Sequence, residues 1–342
     1  MSAPRTDRQP TDSRRPERDR RTSDATEQRR RGGASSLASV YAALAANLVI
    51  AAAKLAAGLV TGSPAMLSEA AHSLADSVNE VFLLTSLRRA RLPADRRHPF
   101  GHGKERFFWS FLAAVGIFVT GGCFSIYQGV RAWQTPVHET GADLAVAAAV
   151  LVVAFLAEGG SLLKALSQAR ARSGGGRSLS VQDMAAEPAL RTVIAEDGTA
   201  IVGLVLALGG IGLHAVTGDG RWEAGASWAI GLLLLAVATR LGIEAQRELI
   251  GQAVDPQLQD TLAEFLADQP EIDDVLELLT MRLGPDSTLL ATRVDLRPGI
   301  DSETIEEVCI RIKRAVREQW PAFDHVFLDI TDADEHRRAG SK

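Results

Sequence analysis

Residues 62–76 read GSPAMLSEAAHSLAD, a Gly-Ser-Pro turn followed at once by small, helix-forming residues. His72 and Asp76 are four residues apart in this stretch, and that spacing places both side chains on one face of a helix. The run continues with mostly small and apolar residues to about residue 87. About 20 such residues let a helix cross the roughly 30 Å hydrocarbon core of a bilayer. The stretch therefore predicts a membrane-spanning helix that carries ionisable groups.

Five further runs of Ala, Leu, Val and Gly flank this one along the chain. The six predicted spans are approximately 38–61, 65–87, 107–133, 141–165, 190–216 and 222–244. The connections after the first, third and fifth spans are short and turn-like, whereas the connections after the second and fourth are rich in Arg and Lys. Because Arg and Lys mark the cytoplasmic side, we expect a multi-pass protein of the cell membrane with both termini in the cytoplasm.

Charge is distributed unevenly over the 342 residues, although the net charge is only -5. Residues 1–34 contain ten Arg and six acidic residues, and residues 255–342 contain ten basic and twenty acidic residues. Two cysteines in separate regions cannot form the framework of a disulfide-stapled secreted domain. The slightly acidic balance gives no overall electrostatic footprint for nucleic acid, so we expect no nucleic-acid partner.

Composition and periodicity divide the chain into four segments. Residues 1–34 form an Arg-rich tail too polar to fold, 35–250 a transmembrane domain, 251–333 a cytoplasmic domain and 334–342 a second tail. In the cytoplasmic domain the pattern of two amphipathic helices and three strands has the order αββαβ. The predicted fold class is an all-α six-helix transmembrane domain followed by an α+β, ferredoxin-like domain.

Ionisable residues inside predicted spans are costly in lipid, so each is a candidate site. His72 and Asp76 lie in the second span, and Glu196 and Asp197 lie inside the fifth. Imidazole and carboxylates together form a nitrogen and oxygen ligand set that suits Zn²⁺ and also admits Mn²⁺, Fe²⁺ or Co²⁺. These ligands shed protons when they bind metal, which can couple metal movement to a proton gradient. The alternative for His72 and Asp76 is a helix-packing hydrogen bond without an ion.

Two other charged residues of the spans are weaker candidates. Lys54 either snorkels to the membrane interface or pairs with an acid. Glu158 is either an interhelical hydrogen-bonding group or a proton relay.

The loop after the second span contains a second candidate metal site. Asp95, His98 and His102 occur there with glycines and a proline between them, which is compatible with a loop folded around an ion. The alternative is a basic cytoplasmic loop whose role is to fix the membrane topology.

At these residues the sequence resembles the cation diffusion facilitator family of divalent-metal transporters over about residues 37–332. The stretches that carry the resemblance are GSPAMLSEAAHSLAD at 62–76 and HPFGHGKER at 98–106, followed by the six spans and the αββαβ domain. AEG at 157–159 and AEDGTA at 195–200 look most like the subgroup that includes the animal zinc transporter nine.

The resemblance implies a homodimeric metal/proton antiporter of the alternating-access type, with its site between the second and fifth spans. His72 and Asp76 fall on the two ligand positions of the second span, and Asp197 on the Asp of an H-x3-D pattern in the fifth. Val193 stands where that pattern has its His, so we expect Glu196 or a water to supply the fourth ligand. Asp95, His98 and His102 fall on the loop metal site of the family.

The leading expectation is therefore efflux of zinc by proton antiport, with membrane lipid, metal ions and protons as partners. A transporter of Mn²⁺, Fe²⁺ or Co²⁺, or a membrane scaffold or sensor that binds metal without transporting it, is the alternative. The sequence has no H-E-x-x-H helix, G-x-S-x-G turn or Walker A motif, so neither an enzyme nor ATP-driven transport is expected.

Overall fold

The computed structural model describes residues 44–135, 139–172 and 188–331. Its first part is a bundle of six long helices, and its second part is a small domain of two helices and a sheet. Both terminal tails, and the basic loop predicted after the fourth span, lie wholly or largely outside the described residues. The bundle helices are α1 Leu44–Thr61, α2 Pro64–Arg89, α3 Glu105–Gln134, α4 Gly141–Arg172, α5 Pro188–Thr217 and α6 Arg221–Ile250.

The turn between α1 and α2 forms for local reasons. Gly62 adopts φ 75°, a left-handed conformation that glycine takes without steric cost. The hydroxyl of Ser63 accepts a hydrogen bond from the amide of Met66 and so caps α2, and Pro64 supplies the first helical residue. The three consecutive residues Gly62, Ser63 and Pro64 therefore determine the direction of α2 at its start.

Helix α3 has an irregularity that the sequence did not indicate. Its middle, Ile117–Cys123, is wound as a π-helix between two α-helical halves. Gly121 and Gly122 lie there against Leu234 and Leu235 of α6, and a Cβ at Gly122 would meet the Leu235 side chain at 2.6 Å. The two glycines therefore allow α3 and α6 to approach closely.

Five of the six helices are long and apolar enough to cross a membrane: α1, α3, α4, α5 and α6. The exception is α2, whose 26 residues are sufficient in length but include polar and ionisable side chains, among them His72 and Asp76. Large apolar side chains on the bundle surface are widely exposed, including Leu59, Val60, Leu156, Leu163 and Val216 at 68% or more. A surface of this kind is typical of a face that meets lipid or a partner.

The interior of the bundle contains small and branched side chains from all six helices. Leu151 of α4, Leu204 of α5, and Ile230 and Leu234 of α6 are almost completely buried there. Alanines fill most of the remaining core positions, which brings the helices close together.

The C-terminal domain has the predicted element order αββαβ. Its elements are α7 Pro256–Ala267, β1 Ile272–Gly284, β2 Ser287–Leu296, α8 Ser302–Gln319 and β3 His325–Ile330. Strand β2 is central, antiparallel to β1 and parallel to β3, so the sheet is mixed. Residues of both helices and all three strands share one apolar core, in which Leu262, Leu290 and Ile312 are nearly inaccessible to solvent.

The loop between α2 and α3 contacts this domain. Gly103 lies so close to the end of β1 that a Cβ there would be 2.5 Å from the carbonyl oxygen of Leu283. The ring of Phe100 meets His325 of β3 edge to face, with 5.2 Å between ring centroids. The predicted loop site is therefore beside the C-terminal domain.

Candidate metal sites

The first candidate site starts from the polar face of α2. Burial leaves His72 only 3% exposed, and its Nδ1 lies 3.4 Å from Oδ2 of Asp76 one helical turn later. Neither ring nitrogen of His72 has a hydrogen-bond partner among the described residues. The two side chains lie on one face of the helix, as their spacing predicted, and the imidazole keeps a ring nitrogen that can donate its lone pair to a metal ion.

Neighbouring residues of α5 face different helices. Oε1 of Glu196 accepts a hydrogen bond of 2.7 Å from the side-chain amide of Asn79 on α2. The carboxylate of Asp197 is instead hydrogen-bonded to Ser161 on α4, and its Oδ2 is buried without a partner among the described residues. Consecutive residues of a helix are about 100° apart around its axis, which explains the divergence. Glu196, rather than Asp197, faces α2 in this arrangement.

The four predicted transport ligands do not converge into one compact cluster. Within the described ranges, two sets of residues have three ligand atoms within 4.8 Å of one another, and neither set includes His72, Asp76, Glu196 or Asp197. Their assignment as transport ligands therefore stays a prediction.

Glu80 adds a further carboxylate at this level of the bundle. It lies one turn after Asp76, and its Oε1 accepts a 2.6 Å hydrogen bond from Asn47 of α1. The other oxygen is buried and has no partner among the described residues. Glu80 also interacts electrostatically with Glu196 and Asp197. The region between α1, α2 and α5 is therefore acidic and incompletely hydrogen-bonded.

Lys54 of α1 is completely buried, so of the two expectations for it the pairing one is confirmed. Its ammonium is 3.2 Å from Glu69 of α2 and 3.0 Å from Glu158 of α4, and it donates to the hydroxyl of Ser73 at 2.9 Å. Glu158 acts as an interhelical hydrogen-bond acceptor here. We call these four residues the Lys54 cluster. They join α1, α2 and α4, and the two members on α2, Glu69 and Ser73, lie within one turn of His72.

The three loop residues lie close together, as their spacing predicted, and their binding of a metal ion stays a prediction. Asp95, His98 and His102 each place a ligand atom within 4.8 Å of the others. Nδ1 of His98 is 3.2 Å from Oδ1 of Asp95, and Nε2 of His102 is 3.8 Å from Oδ2. The carboxylate also accepts hydrogen bonds from the amides of His98 and Arg97, which lower the pKa of Asp95 below its usual value. An ionised carboxylate and two imidazoles are ligand types that Zn²⁺ takes in proteins.

A third cluster was not predicted from the sequence. Glu139 precedes α4, His214 lies in the last turn of α5 and Glu223 lies in the first turn of α6, and each places a ligand atom within 4.8 Å of the other two. Burial, with the neighbouring carboxylate of Glu223, raises the pKa of Glu139 to about 8. The three residues are spread over 85 positions of sequence and have no motif spacing, so only their position at ends of predicted spans could have suggested the cluster.

Comparison with known proteins identifies the helical region. Residues 40–250 match the cation efflux transmembrane domain. The chain is 30% identical to metal tolerance protein C4 of Arabidopsis thaliana over 82% of its length and 60% of the plant protein. It is 31% identical to the mitochondrial proton-coupled zinc antiporter SLC30A9 of Xenopus laevis, over 71% of this chain and 43% of the relative.

A bacterial relative matches over more of its own length. The magnetosome protein MamM of Magnetospirillum gryphiswaldense is 27% identical, over 81% of this chain and 82% of MamM. The chain spans only about half the length of the plant and animal relatives named above. The match to the transmembrane domain covers more than half of the chain, so this multi-pass membrane protein belongs to the cation efflux family, whose members are transporters rather than enzymes.

Proposed function

We propose that this protein exports zinc from the cytoplasm in exchange for protons, by alternating access in a six-span domain that includes α2. The observation that carries the proposal is that buried His72 and partly buried Asp76 share the face of α2 that Glu196 of α5 contacts. His72 offers unbonded ring nitrogens, and Glu196 approaches the same face of α2 through Asn79. Metal ligands that must release protons on binding link the two fluxes.

The proposed transport ligands are His72, Asp76 and the carboxylates of Glu196 and Asp197. The hydrogen bond to Asn79 supports Glu196 as the α5 ligand nearest to α2. The bond of Asp197 to Ser161 means that Asp197 needs a side-chain rotation to join the same ion. Asp95, His98 and His102 are proposed to hold a second zinc ion in the loop.

Zinc is proposed first because imidazole with carboxylate is a common zinc ligand set, and because the animal relative is named a zinc antiporter. The same ligands bind Mn²⁺, Fe²⁺ and Co²⁺, since geometry rather than ligand type separates these ions. A flux assay with all four metals ranks them directly.

The decisive experiment measures zinc uptake into proteoliposomes that contain a zinc-sensitive dye, with and without a pH gradient. Uptake should require the gradient and should disappear in Asp76→Asn. Glu244→Gln is the matched control, because Glu244 is an exposed carboxylate near the C-terminal end of α6. Zinc binding without flux in the unchanged protein would refute transport and favour the scaffold or sensor.

A second comparison separates the two acids of α5. Glu196→Gln should weaken zinc transport strongly if Glu196 is a ligand. Asp197→Asn should have the larger effect if Asp197 rotates into the site. Equal rates for both variants and the unchanged protein would remove α5 from the ligand set.

We further propose a homodimer in the cell membrane, with both termini and the C-terminal domain in the cytoplasm. Support comes from the basic residues at the end of α2, where Arg88 and Arg89 lie in the last turn. The topology is tested with an impermeant maleimide in a chain without its native cysteines. A cysteine in place of exposed Asp219 should react in intact cells, and one in place of exposed Asp260 only after lysis.

A further inference from the structure

We propose that Glu139, His214 and Glu223 bind a divalent metal ion of the zinc type at the end of the bundle remote from the C-terminal domain. This site, which we call the remote site, is separate from both predicted sites. Its assignment rests on binding geometry and does not require that transport be the activity of the protein.

The remote site is distinct from the proposed transport site because of its position along the helices. His214 is 17 residues after Asp197 on α5, which at 1.5 Å per residue is about 26 Å. The loops that surround His214 join α1 to α2, α3 to α4, and α5 to α6. The C-terminal domain follows the opposite end of α6, so the remote site and the loop site lie at opposite ends of the bundle.

Glu223 is the centre of the cluster. Its side chain is only 1% exposed, and Oε1 lies 2.5 Å from Nδ1 of His214, which is also buried. The other oxygen, Oε2, accepts a hydrogen bond from the hydroxyl of Ser63. Ser63 thus holds the orientation of Glu223, as hydrogen bonds to metal-ligating carboxylates commonly do.

Glu139 brings a second carboxylate against the first. Its side chain is hydrogen-bonded to Glu223, and its Oε2 is buried without a partner among the described residues. Two carboxylates in contact, one fully and one partly buried, need a proton or a cation between them, because their charges repel strongly away from bulk water. A divalent ion supplies that charge and uses the unpartnered oxygen.

The chemistry of the three side chains selects the kind of ion. One imidazole and two carboxylates from three different helix ends leave a fourth position open to water, as in zinc sites with mixed nitrogen and oxygen ligands. The imidazole favours zinc-like transition metals over Mg²⁺ and Ca²⁺, which prefer oxygen ligands throughout.

The test counts zinc ions bound to the full-length protein in detergent, by equilibrium dialysis and metal analysis. The background carries Asp76→Asn and Asp95→Asn, which removes one ligand from each predicted site. We expect one zinc per chain to remain and its affinity to fall at least tenfold when Glu223→Gln is added. Asp219→Asn, in the exposed connection between α5 and α6, is the matched control and should leave binding unchanged.

A second, spectroscopic experiment tests the proposal if Glu223→Gln fails to fold. In the same background, Co²⁺ should give the visible absorption of a tetrahedral site, and His214→Cys should add a thiolate-to-cobalt charge-transfer band. Cys123 and Cys309 are present in both samples and cancel in the comparison. A background protein that binds no zinc, or His214→Cys without the new band, would overturn the remote site.

Discussion

The Lys54 cluster makes the sharpest prediction for stability. Lys54 is buried in the bundle interior, and its ammonium forms ion pairs with the carboxylates of Glu69 and Glu158. Lys54→Met keeps most of the volume of the side chain but removes the positive charge. Buried Glu69 and partly buried Glu158 then lose their cation, and the hydroxyl of Ser73 loses the donor that it accepts from.

The size of the effect follows from the loss of both ion pairs. Removing one partner of a buried pair costs about 3–5 kcal/mol, because the remaining charge is buried without compensation. One kcal/mol changes the melting temperature by about 2–4 °C for a domain of 150–250 residues. We therefore expect Lys54→Met to lower Tm by on the order of 10 °C.

The assay is thermal unfolding of the full-length protein in detergent, followed by size-exclusion chromatography of the soluble fraction. Lys164→Met is the matched control, because Lys164 on α4 is exposed and the substitution is chemically the same. Adding Glu69→Gln and Glu158→Gln to Lys54→Met should recover much of the lost stability, since no buried charge then remains in the cluster. Equal melting temperatures for Lys54→Met and Lys164→Met would refute the reasoning.

Three further predictions follow from close contacts and from the loop. Gly203→Ala should destabilise the bundle by about 1–3 kcal/mol, because its Cβ would lie 2.4 Å from Oε1 of Glu69, whereas Gly209→Ala has open space and should be nearly neutral in the same melting assay. Asp95→Asn should weaken zinc binding at the loop about tenfold or more, by calorimetry, because it removes the only anionic ligand of the three. The lowered pKa keeps the Asp95 carboxylate ionised from pH 7 to pH 5, so the unchanged protein should bind zinc more tightly than Asp95→Asn at both pH values; loss of this difference at pH 5 would contradict the prediction. Gly103→Ala should displace the loop from β1, because the new Cβ would contact rigid backbone. Hydrogen exchange at the end of β1 should then become faster, and an unchanged exchange rate would contradict the contact.

Local sequence patterns predicted most of the helical architecture. Apolar runs of the required length predicted the six bundle helices, and the Gly-Ser-Pro turn predicted where α2 begins, because Ser63 caps the helix with its own side chain. The periodicity of the C-terminal region predicted its element order αββαβ, including the adjacent strands β1 and β2. These features depend on residues a few positions apart, so they can be predicted without the tertiary structure.

The candidate sites also differ in how much of each could be predicted from nearby residues in the sequence. Asp95, His98 and His102 lie within eight residues, so their spacing alone predicted the cluster that the folded loop forms. His72 and Asp76 share one helical face, and their contact was equally local. Whether Glu196 or Asp197 faces α2 depends on how α5 is rotated about its axis, and packing against α2 and α4 decides that rotation.

By itself, the sequence predicted the long helices of the bundle, the order of the C-terminal elements and the local pairs, since each follows from periodicity or short spacing. Only the tertiary structure decided which distant charges meet. It joined Lys54 to Glu69 and Glu158, and it brought Glu139 of the α3–α4 connection together with His214 at the end of α5 and Glu223 at the start of α6. The physical reason is that helix–helix packing sets these long-range contacts, and no single segment contains the information on how its neighbours pack against it.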